Sequence, residues 1–370
     1  MIKVNLGKSE SSIVNDFYKR IISHTINPKT LIEKEIANKR ICKTFLNDLK
    51  KSVDGKLLNN TENIIIAKPN DLIKYIEYFQ LHYFELFNDL NNLDKYKKEK
   101  KKIIKSEPVN KSELKEISDK ISEIEYFREF LKKAFYYEDY GKWDAYKLAF
   151  DLYNKANIKV CPYCNRNFVT VLVDEENGGK TRMTYDHFYD KATFPYLALS
   201  FYNLVPSCKV CNSDFKNTKN FYNEPHIHPY IDDINKLKFK LDIENVDFIN
   251  TKIGSYNIKL NVDDFKDDCY NRTKIINHNN TFKIEQLSNF HKSISDKIIR
   301  KFYIYNEDKI NELYNSFDGQ LFSSKEEIFL MIYGMLSVNN DEPFSKLTLD
   351  IIDDLNGKKY FFDGIEAINE

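Results

Sequence analysis

Four of the six cysteines in the chain form two Cys-x-x-Cys pairs. Cys161 and Cys164 make the first pair, Cys208 and Cys211 make the second, and 43 residues separate the pairs. Two such pairs supply the four thiolates of a tetrahedral zinc site, and four protein ligands leave no open position on the metal. In a chain without a recognisable secretion signal, this spacing favours metal binding over disulfides. The pattern therefore predicts a structural Zn²⁺ ion that closes the intervening segment at its base.

Two other interpretations of these cysteines are open. They could be four unrelated buried residues, or one pair could be a thioredoxin-type redox motif, which needs a helix N-terminus in a βαβ setting. The remaining cysteines, Cys42 and Cys269, stand alone in the sequence, and we expect them to be small buried hydrophobic residues.

Polar residues suited to chemistry lie between and beside the cysteine pairs. Asp186 and His187 end a strand-like run, Asn203 comes sixteen residues after His187, and Asn212 follows Cys211 directly. The order is a strand that ends in Asp-His, then a segment that ends in Asn, then a second Asn beside the last metal-ligating cysteine. This is the order of a ββα-metal arrangement.

The motifs that carry this order resemble those of the HNH endonucleases. They are CPYC, YDHFYDK, FPYLALSFYNLVPSC and CKVCNSDFK, and they fall within residues 158 to 220. The family pattern is a zinc Cys-x-x-Cys, then Asp-His, then Asn-Leu, then a second Cys-x-x-Cys followed by Asn or His. The resemblance implies a zinc-bound ββα-metal core that hydrolyses DNA phosphodiester bonds.

The resemblance also implies a role for each polar residue. His187 would be the general base, since an imidazole with a pKa near 6.5 suits proton transfer at neutral pH. Asp186 and Asn212 would bind a catalytic Mg²⁺ or Mn²⁺ ion, which prefers oxygen ligands. Asn203 would hydrogen-bond the backbone across the loop and orient His187 without touching the metal.

Cations near the core could contact the phosphates of a nucleic acid. Residues 155 to 222 contain nine basic and six acidic residues, which is a modest excess of the right sign. The candidates for phosphate contact are Arg166, Lys191, Lys209 and Lys216.

The sequence departs from the family pattern at several positions. Asp190 stands where many members have proline, and it could join the metal shell or weaken activity. The basic residue expected three positions after Asn212 is displaced by one, so that Phe215 precedes Lys216. His226 and His228 form an alternative metal pair, although flanking prolines favour a structural role for them.

Motifs outside residues 158 to 220, HPY and FSKLTLD, narrow the resemblance. They are similar to those of HNH proteins of bacterial antiphage defence, of the PtuB type in Septu and retron-Septu systems. That group implies an SMC-like or ABC-type ATPase partner (PtuA-like), held by the helical flanks, with a retron reverse transcriptase and its RNA in some systems. Two alternatives from other classes are open. One is an RNA-cleaving HNH nuclease, and the other is a catalytically silent zinc module that binds a partner ATPase.

Charge and apolar content restrict the kinds of protein that this chain can be. The chain has 56 Lys and Arg against 56 Asp and Glu, so any nucleic-acid contact must come from a local patch. No apolar run approaches the roughly 18 residues of a membrane span. The N-terminus shows no apolar segment followed by a cleavage site. We therefore expect a cytoplasmic protein that does not cross a membrane.

The elements that must position the site are mostly helical. The sequence predicts an α+β protein with an N-terminal helical region (1–155), the nuclease core (156–230) and a C-terminal region with β structure followed by helices (231–370). In the core, FVTVLV and KTRMTYD flank the turn signal DEENGG, which predicts a hairpin. A short helix is expected over FPYLALSFYN, and small β elements between 235 and 265.

Apolar spacing predicts individual helices on either side of the core. One begins at Pro69 and another near Ser112, while the lysine-rich segment 95–105 is expected to be a solvated helix end or loop, or a phosphate-contacting patch. A third apolar stripe runs through Leu287, Phe290, Ile294, Ile298 and Phe302. Ser324 and Glu327 have the spacing of a capping box, and Asn27 and Pro28 that of a helix start.

Overall fold

The structure is a computed structural model of the 370-residue chain. It describes residues 1–23, 45, 52–53, 56–57, 64–135, 145–174, 178–181, 183–232, 237–250, 255–317, 320–338 and 341–366. The expected helix start at Asn27 and Pro28, and the lone Cys42, lie outside these residues.

Helices make up most of the described chain, which confirms the prediction of a predominantly helical α+β protein. The α-helices are α1 (Glu10–Ser23), α2 (Pro69–His82), α3 (Phe84–Asn91), α4 (Leu93–Lys105), α5 (Lys111–Phe135), α6 (Ala145–Asn154), α7 (Cys269–Phe282), α8 (Ile284–Phe290), α9 (Lys292–Ile304), α10 (Glu307–Ser316), α11 (Lys325–Tyr333) and α12 (Ser345–Glu366).

The strands form small antiparallel pairs. They are β1 (Ser52–Val53) with β2 (Lys56–Leu57), β3 (Leu172–Asp174) with β4 (Gly178–Thr181), β5 (Thr184–His187) with β6 (Leu204–Ser207), and β7 (Phe239–Ile243) with β8 (Tyr256–Leu260). The last pair confirms the β element expected between 235 and 265.

The apolar stripe of the helix predicted to begin at Pro69 is divided between α2 and α3, with a break at Tyr83. Helix α2 begins at Pro69, where a missing N–H costs nothing, and it buries Leu72, Ile76 and Phe79 on one face. The segment 95–105, expected to be a solvated helix end or loop, forms most of helix α4, which buries only Leu93 and Ile103. Most of its lysines are exposed, while the half-buried Lys97 pairs with Glu125 of α5 at 2.6 Å.

The predicted hairpin of the core is only partly right. Strands β3 and β4 do pair across the DEENGG turn signal. The strand that carries Asp186 and His187 instead pairs with β6, where Asp186 lies opposite Val205 and His187 opposite Leu204. The expected helix over FPYLALSFYN consists of two short 3₁₀ turns, Pro195–Leu197 and Phe201–Asn203.

The apolar stripe predicted to run from Leu287 to Phe302 is interrupted in the structure. Helix α8 ends at Phe290 and α9 begins at Lys292, so Phe290 leaves the stripe and is 81% exposed, contrary to the prediction. The capping box at the start of α11 is confirmed, since the Glu327 N–H donates to the Ser324 hydroxyl. The Glu327 carboxylate accepts from the N–H of Ser323, the residue before the cap, at 2.7 Å.

One hydrophobic core runs through the described residues from Met1 to Leu355 and includes side chains of all three predicted regions. At its centre, the Tyr196 ring of the β5–β6 connection lies 4.8 Å from Phe79 and 5.4 Å from Phe87 of the N-terminal helices. The helical flank therefore packs directly on the loop of the candidate site. The division of the chain at residues 155 and 230 stays a prediction.

None of the helices in the described part of the chain combines the length and the apolar character that a membrane crossing requires.

Candidate metal and catalytic site

The four paired cysteines lie together. The sulfur atoms of Cys161, Cys164, Cys208 and Cys211 are all within 4.8 Å of one another, and three of the four residues are buried. Four convergent thiols with no carboxylate among them match the donor set of structural zinc. The cluster could thus hold a metal ion such as zinc, as the spacing predicts. Cys269, expected to be buried, is exposed at the start of α7.

A tight backbone loop forms the first cysteine knuckle. The Cys161 N–H donates to the Asn167 carbonyl at 2.9 Å, and the Asn165 N–H donates to the Cys161 carbonyl at 2.8 Å. Asn165 takes a left-handed conformation with φ of 49°, which asparagine tolerates better than most residues. The Asn167 side chain then donates to the Cys208 sulfur at 3.3 Å, so the first knuckle also supports the second.

The knuckle organises distant parts of the chain. The Ile2 N–H donates to the Pro162 carbonyl at 2.9 Å, and the Phe344 N–H donates to the Asn165 carbonyl at 2.6 Å. The Asn165 side-chain oxygen accepts from the Lys346 N–H at 3.0 Å, which caps the start of α12. The first residues of the chain and the start of α12 are therefore both attached to the first cysteine knuckle.

Neighbouring sulfurs change the acidity of the thiols. Hydrogen bonding from Cys161 holds the pKa of Cys164 well below its usual value and also lowers that of Cys208. A thiolate is the form that binds a metal ion. Burial raises the pKa of Cys161, and the neighbouring sulfurs raise that of Cys211, so the four thiols differ in acidity.

Asn203 closes the loop that follows His187. Its side-chain oxygen accepts from the Tyr189 N–H at 2.7 Å, and its amide donates to the Tyr189 and Leu197 carbonyls, both at 3.0 Å. The side chain is fully buried. These are the cross-loop backbone bonds that the family resemblance implies for this residue.

The His187 ring is held by the same loop. Its Nε2 lies 3.1 Å from the Ala198 carbonyl, so Nε2–H is the donor and the neutral ring carries its lone pair on Nδ1. Burial lowers the pKa of His187 to about 3, and the positive charge of Lys191 adds to this effect. The imidazole is therefore neutral at pH 7, but it is a weaker base than the pKa near 6.5 expected from the sequence would make it.

Asp186 lies in a buried polar cluster. Its Oδ2 accepts from the Tyr163 hydroxyl at 2.6 Å, and its Oδ1 accepts from the Lys216 ammonium at 2.9 Å. Burial raises the pKa of Asp186, and the charge of Lys216 opposes the rise. Burial also raises the pKa of Tyr163 well above its usual value, so its hydroxyl keeps the proton that it donates.

A π-helix over Val210–Lys216 carries the last two site residues. The Asn212 amide donates to the Tyr185 carbonyl at 3.4 Å, which places Asn212 beside the strand of Asp186. The Asn217 N–H bonds the Asn212 carbonyl, five residues back, as a π-helix requires. This wider turn accommodates the one-residue displacement of Lys216 relative to the family pattern.

Lys216 does not lie where the sequence places it. It is 1% exposed, and its ammonium donates to Asp186 and, at 2.6 Å, to the His187 carbonyl. A contact with a surface phosphate is therefore replaced by an internal ion pair. Lys191 and Lys209 are exposed, whereas the half-buried Arg166 guanidinium lies 3.2 Å from His291 Nε2.

Asp190 faces inward beside the site. Its Oδ1 accepts from the Ala192 and Thr193 N–H groups, and its buried Oδ2 has no hydrogen-bond partner in the described structure. Its negative charge raises the pKa of Asp186, so the two carboxylates interact. A buried carboxylate oxygen without a partner is costly unless it meets a cation.

Oxygen atoms of the kind that bind a divalent cation are found on Asp186 and its neighbours. Asp186 and Asn212 offer a carboxylate and an amide oxygen, Asp190 offers an unpartnered one, and the Lys216 ammonium already stands in as a cation. This is the hard donor set that magnesium and manganese prefer.

His226 and His228 do not converge on a metal site. His226 stacks on Phe221 at 3.7 Å, and its Nε2 accepts from the Thr281 hydroxyl at 2.9 Å. The His228 ring lies 4.2 Å from the Phe188 ring. Among the described residues, the four cysteines are the only group of three or more His, Cys, Asp or Glu side chains that lie close enough together to hold a metal ion.

Sequence reasoning missed the role of Tyr163. The residue lies between the cysteines of the first knuckle and its ring stacks on Phe282 at 4.5 Å, while its hydroxyl holds Asp186. The signal in the sequence was the tyrosine inside CPYC, a bulky residue in a loop that four thiols constrain.

The geometry defines a four-cysteine cluster that could hold a metal ion, joined to a strand–strand–helix unit with an Asp-His pair. Among curated proteins, the chain is similar to the Septu protein PtuB of Bacillus thuringiensis, at 39% identity over 72 residues. The match covers 20% of this chain and 24% of that relative, and it supports a relationship to Septu proteins. No protein-family model matches the chain, and no solved structure matches it.

Replacing a cluster cysteine should remove the metal. We expect purified protein to contain about one zinc per chain, and Cys208→Ser to lose most of it together with stability, because a closed zinc site contributes on the order of 10 kcal/mol to folding. Elemental analysis and thermal melting measure both effects, and the exposed Cys269→Ser is the matched control. A well-folded protein without metal would contradict the assignment.

Buried neutral histidines should make the fold sensitive to acid. Burial lowers the pKa of His187 and His228 to about 3 and that of His226 to about 4, from an unfolded value of 6.5. The unfolded chain therefore binds more protons below pH 6.5, and stability present above that pH falls as the pH drops toward these values.

Denaturant unfolding between pH 7 and 5.5, with zinc content monitored, measures how much folding stability is lost on acidification. We expect a smaller loss in His228→Asn, because one buried imidazole is removed while a side-chain acceptor for the Tyr230 N–H remains. An unchanged pH dependence in this variant would exclude His228 as a source of the effect.

Proposed function

We propose that the chain is a metal-dependent HNH-type endonuclease that hydrolyses DNA. The observation that carries the proposal is the β5–β6 pair followed by the π-helix, which brings Asp186, His187, Asn203 and Asn212 into one unit attached to the cysteine cluster. Phosphodiester hydrolysis needs an activated water, charge neutralisation and support for the departing oxygen, and this unit offers residues for each.

His187 is the general base of the proposal. Its Nε2–H bond to the Ala198 carbonyl fixes the ring, so Nδ1 would be the atom that takes the proton from a water molecule. Asn203 holds the Leu197 carbonyl beside that anchor, so it positions the base through the loop. The lowered pKa of His187 keeps the ring unprotonated at pH 7, although it also makes the ring a weaker base.

Asp186 and Asn212 would hold a divalent ion. Such an ion supplies charge neutralisation at the phosphate and stabilises the leaving oxygen. The Tyr163 hydroxyl orients the Asp186 carboxylate from the knuckle side. Exposed Lys191 and Lys209 lie on the same unit and supply positive charge for the DNA backbone.

We further propose a role in antiphage defence, together with a partner ATPase. The partial similarity to a Septu protein supports the defence role. The helical flanks are the candidate partner surface, because they expose large apolar side chains such as Leu81 and Met331, which are 77% and 60% exposed.

Loss of the base should abolish cleavage without unfolding the protein. We expect His187→Ala to lower the rate of supercoiled-plasmid nicking by about 10²- to 10⁴-fold, as is typical for a lost general base. Zinc content should not change, because the ring is no ligand of the cluster. His82→Ala, on the surface of α2, is the matched control.

Rescue by Mn²⁺ should distinguish a residue that binds the metal ion from the residue that acts as the general base. High Mn²⁺ should partly restore nicking by Asn212→Ala, since mass action compensates a weakened ligand, but not nicking by His187→Ala. Wild-type nicking by His187→Ala would remove this residue from the mechanism. Cleavage of RNA but not of plasmid would favour the RNA-cutting alternative, and no cleavage by a zinc-loaded protein would favour the silent module.

Partner binding should depend on the flanks. We expect Leu81→Glu or Met331→Glu to weaken co-purification with the proposed partner ATPase, because a charge in an apolar contact costs desolvation energy. Both residues are exposed, so the fold should tolerate the change. If both flank variants bound the ATPase normally while Lys191→Glu did not, the interface would lie on the core instead.

A further inference from the structure

The Lys216 ammonium binds one of the oxygen atoms, Asp186 Oδ1, that the proposed divalent ion would need as a ligand. It is 2.9 Å from Asp186 Oδ1 and 2.6 Å from the His187 carbonyl, and it also lies 4.9 Å from the centre of the Phe221 ring. Side-chain exposure is 1% for Lys216 and 3% for Asp186. An ion pair so deeply buried is costly to break by removing one partner alone.

We propose that Lys216 is an internal counter-ion that a divalent cation must displace from Asp186. The inference rests on the proposed nuclease function and adds a regulatory step to it. In the resting state, the protein supplies its own cation and satisfies Asp186. In the loaded state, the ammonium moves away and the carboxylate binds the metal ion together with Asn212.

Charge balance supports an exchange at this site. Asp186 and Asp190 bring two buried carboxylates close enough to influence each other, while Lys216 supplies one positive charge. Asp190 Oδ2 is left without a hydrogen-bond partner among the described residues. A divalent ion in place of the ammonium would balance both carboxylates, which the single charge of Lys216 does not.

The helix that carries Lys216 offers a route for the movement. Val210–Lys216 is a π-helix, and Lys216 is its last residue. π-helices are rare and are found mostly as single turns at functional sites. Conversion of this turn to α-helical geometry would rotate Lys216 relative to Asn212, so the ammonium could leave while Asn212 stays beside β5.

Manganese binding to zinc-loaded protein tests the proposal without any reaction. Free Mn²⁺, measured by electron paramagnetic resonance, should show that Lys216→Met binds one ion at least about tenfold more tightly than the wild type, since no positive charge competes for the carboxylate. Methionine is uncharged and flexible, so it can fill most of the lysine's volume. The double variant Asp186→Asn with Lys216→Met removes both charges and should lose this binding.

A second measurement uses the wild-type protein and does not depend on the variant folding. Reductive methylation followed by mass spectrometry reports which lysine amines are accessible. Lys216 should be protected without Mn²⁺ and become labelled at saturating Mn²⁺, while the exposed Lys209 is labelled in both states.

The outcomes separate this inference from the proposed function. Equal or weaker Mn²⁺ binding by a folded Lys216→Met, or a Lys216 that stays protected while Mn²⁺ binds, would overturn the counter-ion role even if the wild type cuts DNA. Tighter binding by Lys216→Met together with Mn²⁺-induced labelling would support it even if no variant cuts DNA.

Discussion

The Tyr163 hydroxyl donates a 2.6 Å hydrogen bond to Asp186 from inside the first cysteine knuckle, and the candidate site depends on this contact. The residues on either side of Tyr163 lead to Cys161 and Cys164, so the position of the Asp186 carboxylate follows from the position of the cluster. Asn212 follows Cys211 directly and depends on the same cluster. A metal ion bound by the four thiols would therefore fix two site residues that lie far apart in the sequence.

The other half of the site is supported from the helical flank. The loop between β5 and β6 carries the Ala198 carbonyl that holds His187, and Tyr196 of this loop packs between α2 and α3 through Phe79 and Phe87. The Ser200 hydroxyl adds a 2.5 Å bond to the Ile64 carbonyl. A partner bound to the N-terminal helices could thus influence the base through packing, without contacting the core.

The cysteine cluster could be predicted because ligand spacing within each knuckle is local, and the apolar stripe of α2 followed from its period. The pairing of β5 with β6 could not, since turn signals favour the nearest hairpin, and the partner strand LVPS follows a long loop. The burial of Lys216 was missed because a lysine is normally exposed and no local rule predicts a π-helix. The break after Phe290 could not be predicted, because the apolar spacing in the sequence continues without change from α8 into α9.

Anomalous diffraction from crystals of the zinc-loaded protein soaked in Mn²⁺ tests the central claim most directly. Data at the zinc edge should give one peak among the sulfurs of Cys161, Cys164, Cys208 and Cys211. Data at the manganese edge should give a second peak between the Asp186 carboxylate and the Asn212 side-chain oxygen. A manganese peak elsewhere, with Asp186 still bound to Lys216, would contradict the account of the catalytic site.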